Sequence, residues 1–216
     1  MARHPKVRGS AAALLLIDLI NPFDFPGAED LLPYAMQAAR AIALLKRRAH
    51  AAAVPVIYVN DNYDRWHVGF PELIEEFRAE GVAGLPLLDL LEPDPQDDHF
   101  ILKPKHSGFY CTGLDVLLAH LGVRTLIITG IAGNICVLFT ANDAHMRDYR
   151  LIVPADCCAS ERPADNEYAL EQLHRVFGAD IRPSTEITLE TLRDGTPDAP
   201  RPKEGGPETP SGHGSV

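Results

Sequence analysis

The sequence predicts an α/β protein with three αβα layers, in which helices cover both faces of a six-stranded, mostly parallel, doubly wound sheet of the Rossmann-like type. Two observations lead to this prediction. Short apolar runs typical of strands buried on both faces, such as residues 12–17 and 125–129, alternate with longer segments of helical periodicity. Strands that alternate with helices form βαβ units, whose right-handed crossovers place a parallel sheet between two helical layers.

The strands are predicted from apolar runs bounded by Pro, Gly and polar clusters. The third run contains more polar residues than the others, which is typical of an edge strand. The fourth run leads directly into a glycine-containing loop and then into a helical pattern. In order, the predicted strands are residues 12–17, 55–60, 98–103, 125–129, 151–154 and 179–182.

The helices are predicted from apolar stripes at three- and four-residue spacing, together with start and stop signals. Acidic Glu29 and Asp30 stand at the start of the first helix, where the helix dipole favours negative charge. Thr112 is expected to cap the fourth helix and Gly122 to end it. The helical segments are 30–52, 71–79, 84–91, the segment between Thr112 and Gly122, 134–148, 163–177 and 184–193, of which 84–91 and 184–193 are expected to give only a turn or two.

The chain of 216 residues suits one such domain with a tail. We expect a flexible arm at residues 1–10, a folded domain at 11–193 and a disordered tail at 194–216, where Pro, Gly, Ser and charged residues dominate. The apolar run near the start is short and ends in Asp18, so we do not expect a signal peptide.

The charge and the cysteines narrow the class of protein. The formal net charge is −10, which argues against nucleic-acid and anionic membrane partners. No apolar run has the length of a membrane-spanning helix. The four cysteines match no zinc spacing, and vicinal Cys157 and Cys158 are poorly placed to bond to each other. The sequence therefore predicts a cytoplasmic protein with free thiols.

Cys136 closes the segment Gly-Ile-Ala-Gly-Asn-Ile-Cys at 130–136, between the fourth strand and the helix that follows. Free backbone N–H groups and the helix dipole favour an anion at such a position. We therefore expect the thiol of Cys136 to have a lowered pKa and to be partly thiolate. The alternative is a buried structural cysteine, which is also the expected role of Cys111, Cys157 and Cys158.

Two other reactive side chains follow strands in the same way. Asp18 comes after the first strand and Lys103 ends the third. Parallel sheets bind ligands beyond the carboxyl ends of their strands, so Asp18, Lys103 and Cys136 are expected to meet there, on neighbouring strand ends. Alternatively, Asp18 caps a loop and Lys103 is an exposed lysine, with Lys105 as a competitor for its role.

Three segments resemble the isochorismatase-like cysteine hydrolase superfamily, which includes nicotinamidases, N-carbamoylsarcosine amidase and ureidoacrylate-type amidohydrolases. They are residues 16–23, 103–109 and 130–137, and the similarity extends over about residues 10–185. The resemblance implies a hydrolase domain with a catalytic triad of Cys136, Asp18 and Lys103, because the family's lysine stands four residues before the serine of a Ser-x-Phe element. It also implies oxyanion donors at the backbone N–H groups of Ala132 and Cys136, and a cis peptide bond between Ile131 and Ala132.

These residue types suit covalent hydrolysis. Cys136 would attack a carbonyl carbon, Asp18 would take and return the proton, and Lys103 would stabilise the negative charges. The resemblance places further residues beside the substrate, each with packing or loop ordering as the alternative. The predicted substrate-binding residues are Phe23, Asn62, Trp66, Ser107 and Phe109.

The chain departs from the family at two points. Nicotinamidases bind a metal through an Asp-x-His pair and a second His, whereas Asp61 is followed here by Tyr63, and His67 alone is a poor site. We therefore predict no metal and no cofactor. Gly133 stands where many relatives have Thr, which leaves the geometry of the nucleophile loop open.

The sequence thus favours hydrolysis of a C–N bond (amide, ureido or carbamoyl) in a small-molecule substrate, through a thioester on Cys136. One alternative is cleavage of a C–O bond in a vinyl ether, with Asp18 as the acid; relatives with that activity commonly lack the cysteine. The other is a non-catalytic or thiol redox protein on the same fold. The resemblance also implies a homo-oligomer, either a dimer or a tetramer.

Overall fold

The computed structural model describes residues 9–195. The predicted arm at 1–8 and the predicted tail at 196–216 lie outside the described residues. Ser10, at the end of the predicted arm, is buried, and its backbone N–H donates to the Leu121 carbonyl oxygen over 3.1 Å.

The described part of the chain contains six strands and seven α-helices, in the alternation that the sequence predicts. The strands are β1 (Ala12–Ile17), β2 (Val56–Asp61), β3 (Asp98–Lys103), β4 (Thr125–Ile131), β5 (Arg150–Ile152) and β6 (Cys158–Ala159). The helices are α1 (Ala28–Ala51), α2 (Phe70–Glu80), α3 (Leu85–Leu90), α4 (Leu114–Leu121), α5 (Leu138–His145), α6 (Pro163–Phe177) and α7 (Leu189–Arg193).

All paired strands of the sheet are parallel, in the order β3-β2-β1-β4-β5, with β6 beside the end of β4. The chain runs outward from β1 to β3 and then crosses to β4 on the other side of β1. The strand order therefore reverses between β1 and β4, which is where an open α/β sheet binds its ligand. The predicted doubly wound, six-stranded parallel sheet is confirmed.

The two faces of the sheet belong to separate hydrophobic clusters, which makes the molecule three-layered. Leu14 and Leu16 of β1 pack into the first cluster, together with residues of α1, α2, α3 and α7. Leu15 and Ile17 alternate with them and pack into the second, with residues of α4, α5 and α6. This period-two alternation of apolar side chains on both faces explains why β1 reads as one continuous apolar run.

The predicted sixth strand at 179–182 is wrong. The segment does lie beside β5, because the Asp180 N–H donates to the Leu151 carbonyl oxygen over 3.0 Å and the Asp180 carbonyl oxygen accepts the Val153 N–H over 2.7 Å. This pairing gives an isolated bridge between Asp180 and Ile152 and no strand, while the sixth strand of the sheet is Cys158–Ala159. The Arg182 backbone N–H donates to the side chain of Asp180 over 3.2 Å rather than to a neighbouring strand, and Pro183 has no N–H to donate.

The start of α4 also differs from prediction. The helix begins at Leu114 with Gly113 as its N-cap, so Thr112 stands one residue too early to cap it. The Thr112 hydroxyl instead donates to the Gly108 carbonyl oxygen and accepts the Leu114 N–H over 3.2 Å. Thr112 therefore ties the loop before α4 to the first turn of the helix.

Candidate active site

Asp18 lies immediately beyond β1, at the point where the strand order reverses. Its backbone is left-handed, with φ of 51°, a conformation in which Asp is enriched over most other residues. Its N–H donates to the Val59 carbonyl oxygen over 3.1 Å, and its Oδ1 accepts the backbone N–H of Asp61 over 2.7 Å. These two bonds to β2 hold the buried carboxylate in one orientation.

Lys103, the last residue of β3, reaches the same point from two strands away. The prediction that Asp18 and Lys103 lie on neighbouring strand ends is wrong, because β2 lies between β1 and β3. The long lysine side chain spans the distance. Its Nζ lies 2.9 Å from Oδ2 of Asp18 and 3.7 Å from Oδ2 of Asp61. No part of Lys103 is exposed (0%), so these carboxylates balance its charge in place of water.

Cys136 completes the cluster from β4. The strand ends at Ile131, the peptide bond between Ile131 and Ala132 is cis, as the family resemblance implies, and a π-helical turn then spans Gly133–Val137. Within this turn the Cys136 Sγ lies 3.6 Å from Lys103 Nζ. The three side chains that the sequence selects are therefore brought together, and π-helical turns of this kind are frequent at functional sites.

Close contact between β1 and β4 depends on Gly130. Its φ is 123°, and a Cβ there would lie 2.1 Å from the carbonyl oxygen of Ile17. Any side chain at this position would push apart the two strands that carry Asp18 and the Cys136 turn.

The predicted lowering of the Cys136 pKa is wrong. Burial raises the pKa of the thiol, the negative charge of Asp18 raises it further, and the charge of Lys103 opposes both. Two carboxylates, Asp18 and Asp61, already surround a single ammonium group. A thiolate would thus add negative charge to a site that already has an excess, which favours the neutral thiol over the thiolate.

Asp18 is the proton acceptor that this arrangement provides. Burial raises its pKa above the ordinary value of 3.8, although the charge of Lys103 and the hydrogen bonds with Cys136 and Lys103 act to lower it. Burial of Lys103 by itself acts to lower its pKa, but Asp18, Cys136 and Asp61 outweigh that effect and the net shift is upward. The site at rest thus pairs an ammonium group with a carboxylate that binds a proton more readily than an exposed aspartate does.

Two residues at the cluster were not selected from the sequence. Asp61 was considered only for a metal, yet it ends β2, and the same strand-end reasoning places it beside Lys103. His106 brings its Nδ1 within 3.9 Å of Cys136 Sγ, and its exposed ring packs against Phe139 with the centroids 5.4 Å apart. The available signal for His106 was its position inside the 103–109 segment, next to Ser107.

Asn62 and Trp66 share a cavity of about 370 Å³ beside the end of β3. Leu102 and Pro104, the chain neighbours of Lys103, form another part of its wall. The Asn62 backbone N–H donates to the Lys103 carbonyl oxygen over 3.2 Å, which fixes the loop against the strand end. Trp66 is 72% exposed, so most of the indole is free to contact a ligand.

The other three predicted substrate-binding residues make packing contacts. Phe23 is buried and stacks with Phe25, and Phe109 packs in the second cluster with the Arg147 guanidinium 4.7 Å from its ring centroid. The Ser107 hydroxyl donates to the carboxylate of Asp143. None of the three lines the cavity. These contacts fit the alternative of loop ordering and packing, and a role in substrate binding stays a prediction.

Asp61 stands where nicotinamidases have the aspartate of their metal site, and its carboxylate contacts Tyr63 and Lys103 here. Asp61 Oδ1 accepts the backbone N–H of Tyr63 over 2.8 Å, while its Oδ2 faces Lys103. Within residues 9–195, no three or more His, Cys, Asp or Glu side chains are grouped as a metal would require. The Asp61 carboxylate thus lies between the Tyr63 N–H and the Lys103 ammonium group, and the absence of a metal stays a prediction.

No helix within residues 9–195 is both long and apolar enough to cross a bilayer.

Comparisons with known proteins agree with the family resemblance of the sequence. The family model of the isochorismatase domain matches residues 12–183. The isochorismatase family protein YaaI of Bacillus subtilis is 43% identical over 176 residues, which is 81% of this chain and 95% of YaaI. The ureidoacrylate amidohydrolase RutB of Methylorubrum extorquens is 33% identical over 198 residues, 78% of each chain. The crystal structure of N-carbamoylsarcosine amidase from Thermoplasma acidophilum superimposes with a TM-score of 0.62 at 31% identity, covering 82% of this chain and 98% of the amidase.

Proposed function

The chain belongs to the isochorismatase family of hydrolases, and from this premise we propose that it cleaves a C–N bond (amide, ureido or carbamoyl) of a small molecule through a thioester on Cys136. One observation carries the proposal. A single buried ammonium, Lys103 Nζ, lies 2.9 Å from the carboxylate of Asp18 and 3.6 Å from the thiol sulfur of Cys136. Two of the relatives, the ureidoacrylate amidohydrolase and the N-carbamoylsarcosine amidase, support the same type of bond.

The first half of the proposed reaction makes the thioester. Asp18 takes the thiol proton as Sγ of Cys136 bonds to the carbonyl carbon, so that thiolate forms only during attack. The backbone N–H groups of Ala132 and Cys136 would stabilise the oxyanion. As the C–N bond breaks, the Asp18 carboxyl returns that proton to the leaving nitrogen, and Lys103 stabilises the carboxylate that is regenerated.

The second half releases the acid product. Asp18 takes a proton from water, the resulting hydroxide attacks the thioester carbon, and the C–S bond breaks. Sγ then recovers the proton from Asp18, and the site returns to its resting form. These steps use one carboxylate alternately as base and acid, for which the upward pKa shift of Asp18 is suited because it brings the proton affinity closer to neutral pH.

The proposal is tested with a panel of small amides, ureas and carbamoyl compounds, assayed for ammonia or amine release. We expect turnover of at least one class, and a covalent acyl adduct on Cys136 in mass spectra of quenched reactions. Carbonyl products formed from vinyl ethers without ammonia would support the C–O alternative instead. Disulfide exchange without hydrolysis of any compound would favour the redox alternative. A homo-oligomer (dimer or tetramer) and a cytoplasmic location stay predictions from the sequence.

The raised pKa values of Asp18 and Cys136 predict how two rates, those of hydrolysis and of thiol alkylation, depend on pH. Because Asp18 must be ionised to accept the proton, kcat/KM should rise with pH through the Asp18 pKa, at a midpoint above 3.8. Alkylation of Cys136 by iodoacetamide needs the thiolate, so its rate should still be rising with pH at the ordinary thiol pKa of 9.0, with a midpoint above that value. Both are measured in Cys111→Ser, which removes the exposed thiol. A thiolate already formed at pH 7 would contradict the proposed resting form.

A further inference from the structure

The space beside Gly133 is already filled by a side chain from another element. Gly133 is buried at the start of the nucleophile turn, which comprises residues 133–137. A Cβ on it would lie 2.0 Å from Oδ1 of Asn166, in the first turns of α6, and 3.2 Å from Oγ of Ser160. Real Cβ atoms do not approach oxygen this closely, so Gly133 and Asn166 must be accommodated together.

Asn166 is hydrogen-bonded on both sides of its amide. Its Nδ2 donates to the Cys158 carbonyl oxygen over 3.3 Å, and its Oδ1 accepts the Ser160 hydroxyl over 3.4 Å. Cys158 belongs to β6, which pairs with Gly130 of β4 just before the cis peptide. The amide therefore connects α6 to the strand that carries the nucleophile turn.

The same network continues into the nucleophile turn itself. The Ser160 hydroxyl accepts the backbone N–H of Asn134 over 3.2 Å while it donates to Asn166. Asn134 stands two residues before Cys136, so one path of hydrogen bonds runs from α6 to the turn. Asn166 is connected to the turn in two ways. Its oxygen occupies the space next to Gly133, and its hydrogen bond with Ser160 leads on to the hydrogen bond between Ser160 and Asn134.

We propose that Asn166 is a positioning residue for Cys136, and that the glycine at 133 is required because the Asn166 amide occupies the place of a side chain there. The inference deepens the proposed function and rests on it only for its kinetic readout. The turn holds Sγ at 3.6 Å from Lys103 Nζ, a distance that depends on the backbone between Ala132 and Val137. A displacement of the reacting atom by about 1 Å costs on the order of 10²-fold in rate, so small movements of the turn are measurable.

A double-mutant cycle between Gly133 and Asn166 tests the proposal. Gly133→Ala alone should reduce kcat at least about tenfold, because its Cβ meets the Asn166 oxygen. Asn166→Ala alone should reduce kcat about tenfold and leave KM within about twofold of wild type, since the hydrogen bonds of the Asn166 side-chain amide that hold the turn are lost. In the double variant the Cβ has room, so kcat should exceed that of Gly133→Ala. Glu167→Ala, an exposed neighbour on α6, is the matched control and should match wild type.

A second readout does not depend on the substrate. The rate of Cys136 alkylation by iodoacetamide, measured in the Cys111→Ser background, should fall in both single variants and recover in the double variant. If Asn166→Ala leaves both rates within twofold of wild type, or if the double variant is no better than Gly133→Ala, the positioning role is overturned. If the alkylation rates are coupled but no substrate is hydrolysed by wild type, the positioning role stands and the proposed function fails.

Discussion

Replacing Cys136 by alanine is expected to reduce kcat for C–N hydrolysis by about 10⁴- to 10⁶-fold, the range seen when the nucleophile or a partner is removed from a hydrolase triad. Without Sγ no thioester can form, and water would have to attack the carbonyl carbon directly. Asp18 and Lys103 would remain 2.9 Å apart but would have no nucleophile to serve. Single-turnover kinetics on the substrate found in the panel measure the loss, and the acyl adduct should disappear from the mass spectrum.

Cys111 provides the matched control for this variant. It is an exposed cysteine in the wall of the cavity, whereas Cys136 touches Lys103. Cys111→Ala should therefore keep kcat and the acyl adduct, even where a change in the cavity wall alters KM. Melting temperatures of both variants show whether the folded state is retained. A mild effect of Cys136→Ala combined with complete loss in Asp18→Asn would contradict the thioester and favour the acid-catalysed C–O alternative.

The sequence predicts that Asp18, Lys103 and Cys136 meet because a parallel sheet binds its ligands at one edge, whereas their roles as a triad are what the family resemblance implies. Apolar runs fix where β1, β3 and β4 end, and the residues at or after those ends must share that edge. Asp18 and Lys103 follow from this reasoning, and Cys136 follows from the loop after β4. The same logic would have placed Asp61 there too, but its role was interpreted from the metal-binding pattern of relatives.

The protonation state of Cys136 could not be predicted in the same way. A helix start favours thiolate, but burial and the charge of Asp18 outweigh it, and both depend on the folded structure. The contact between Gly133 and Asn166 could not be predicted either, because Asn166 is 33 positions further along the chain. Strand β6 has only two residues, too few for any hydrophobic period to be recognised.

Lys103→Met should strongly reduce activity and also destabilise the fold, because it removes the charge. The substitution keeps much of the length of the side chain. Asp18 is only 5% exposed and would be left without a cation. Its pKa, already raised by burial, would rise further, so less of the carboxyl would be ionised and able to act as a base. We expect kcat/KM to fall by on the order of 10³-fold, within the range that general-base catalysis contributes.

The free energy of unfolding of Lys103→Met should fall by about 3–5 kcal/mol at neutral pH, as it does when one partner of a buried ion pair is removed. The sign of the pH dependence follows from the raised pKa of Asp18. A carboxyl that binds its proton more tightly in the folded state gives stability that is complete below pH 3.8 and is lost as pH rises through the folded pKa. The deficit relative to wild type should therefore shrink as pH is lowered, which urea titrations at several pH values measure.

The catalytic and the structural consequences of Lys103 can be separated. In Lys103→Met/Asp18→Asn no lone charge is buried, so most of the lost stability should return while the protein stays inactive. Lys105 is two residues further along the chain and its side chain is exposed, so Lys105→Met should change neither the activity nor the free energy of unfolding. If Lys105→Met lost activity instead, Lys105 would take the role assigned to Lys103. If the double variant regained activity with stability, Asp18 would not be the base, because the carboxylate that lies 2.9 Å from Lys103 Nζ in the wild type would have been removed without effect.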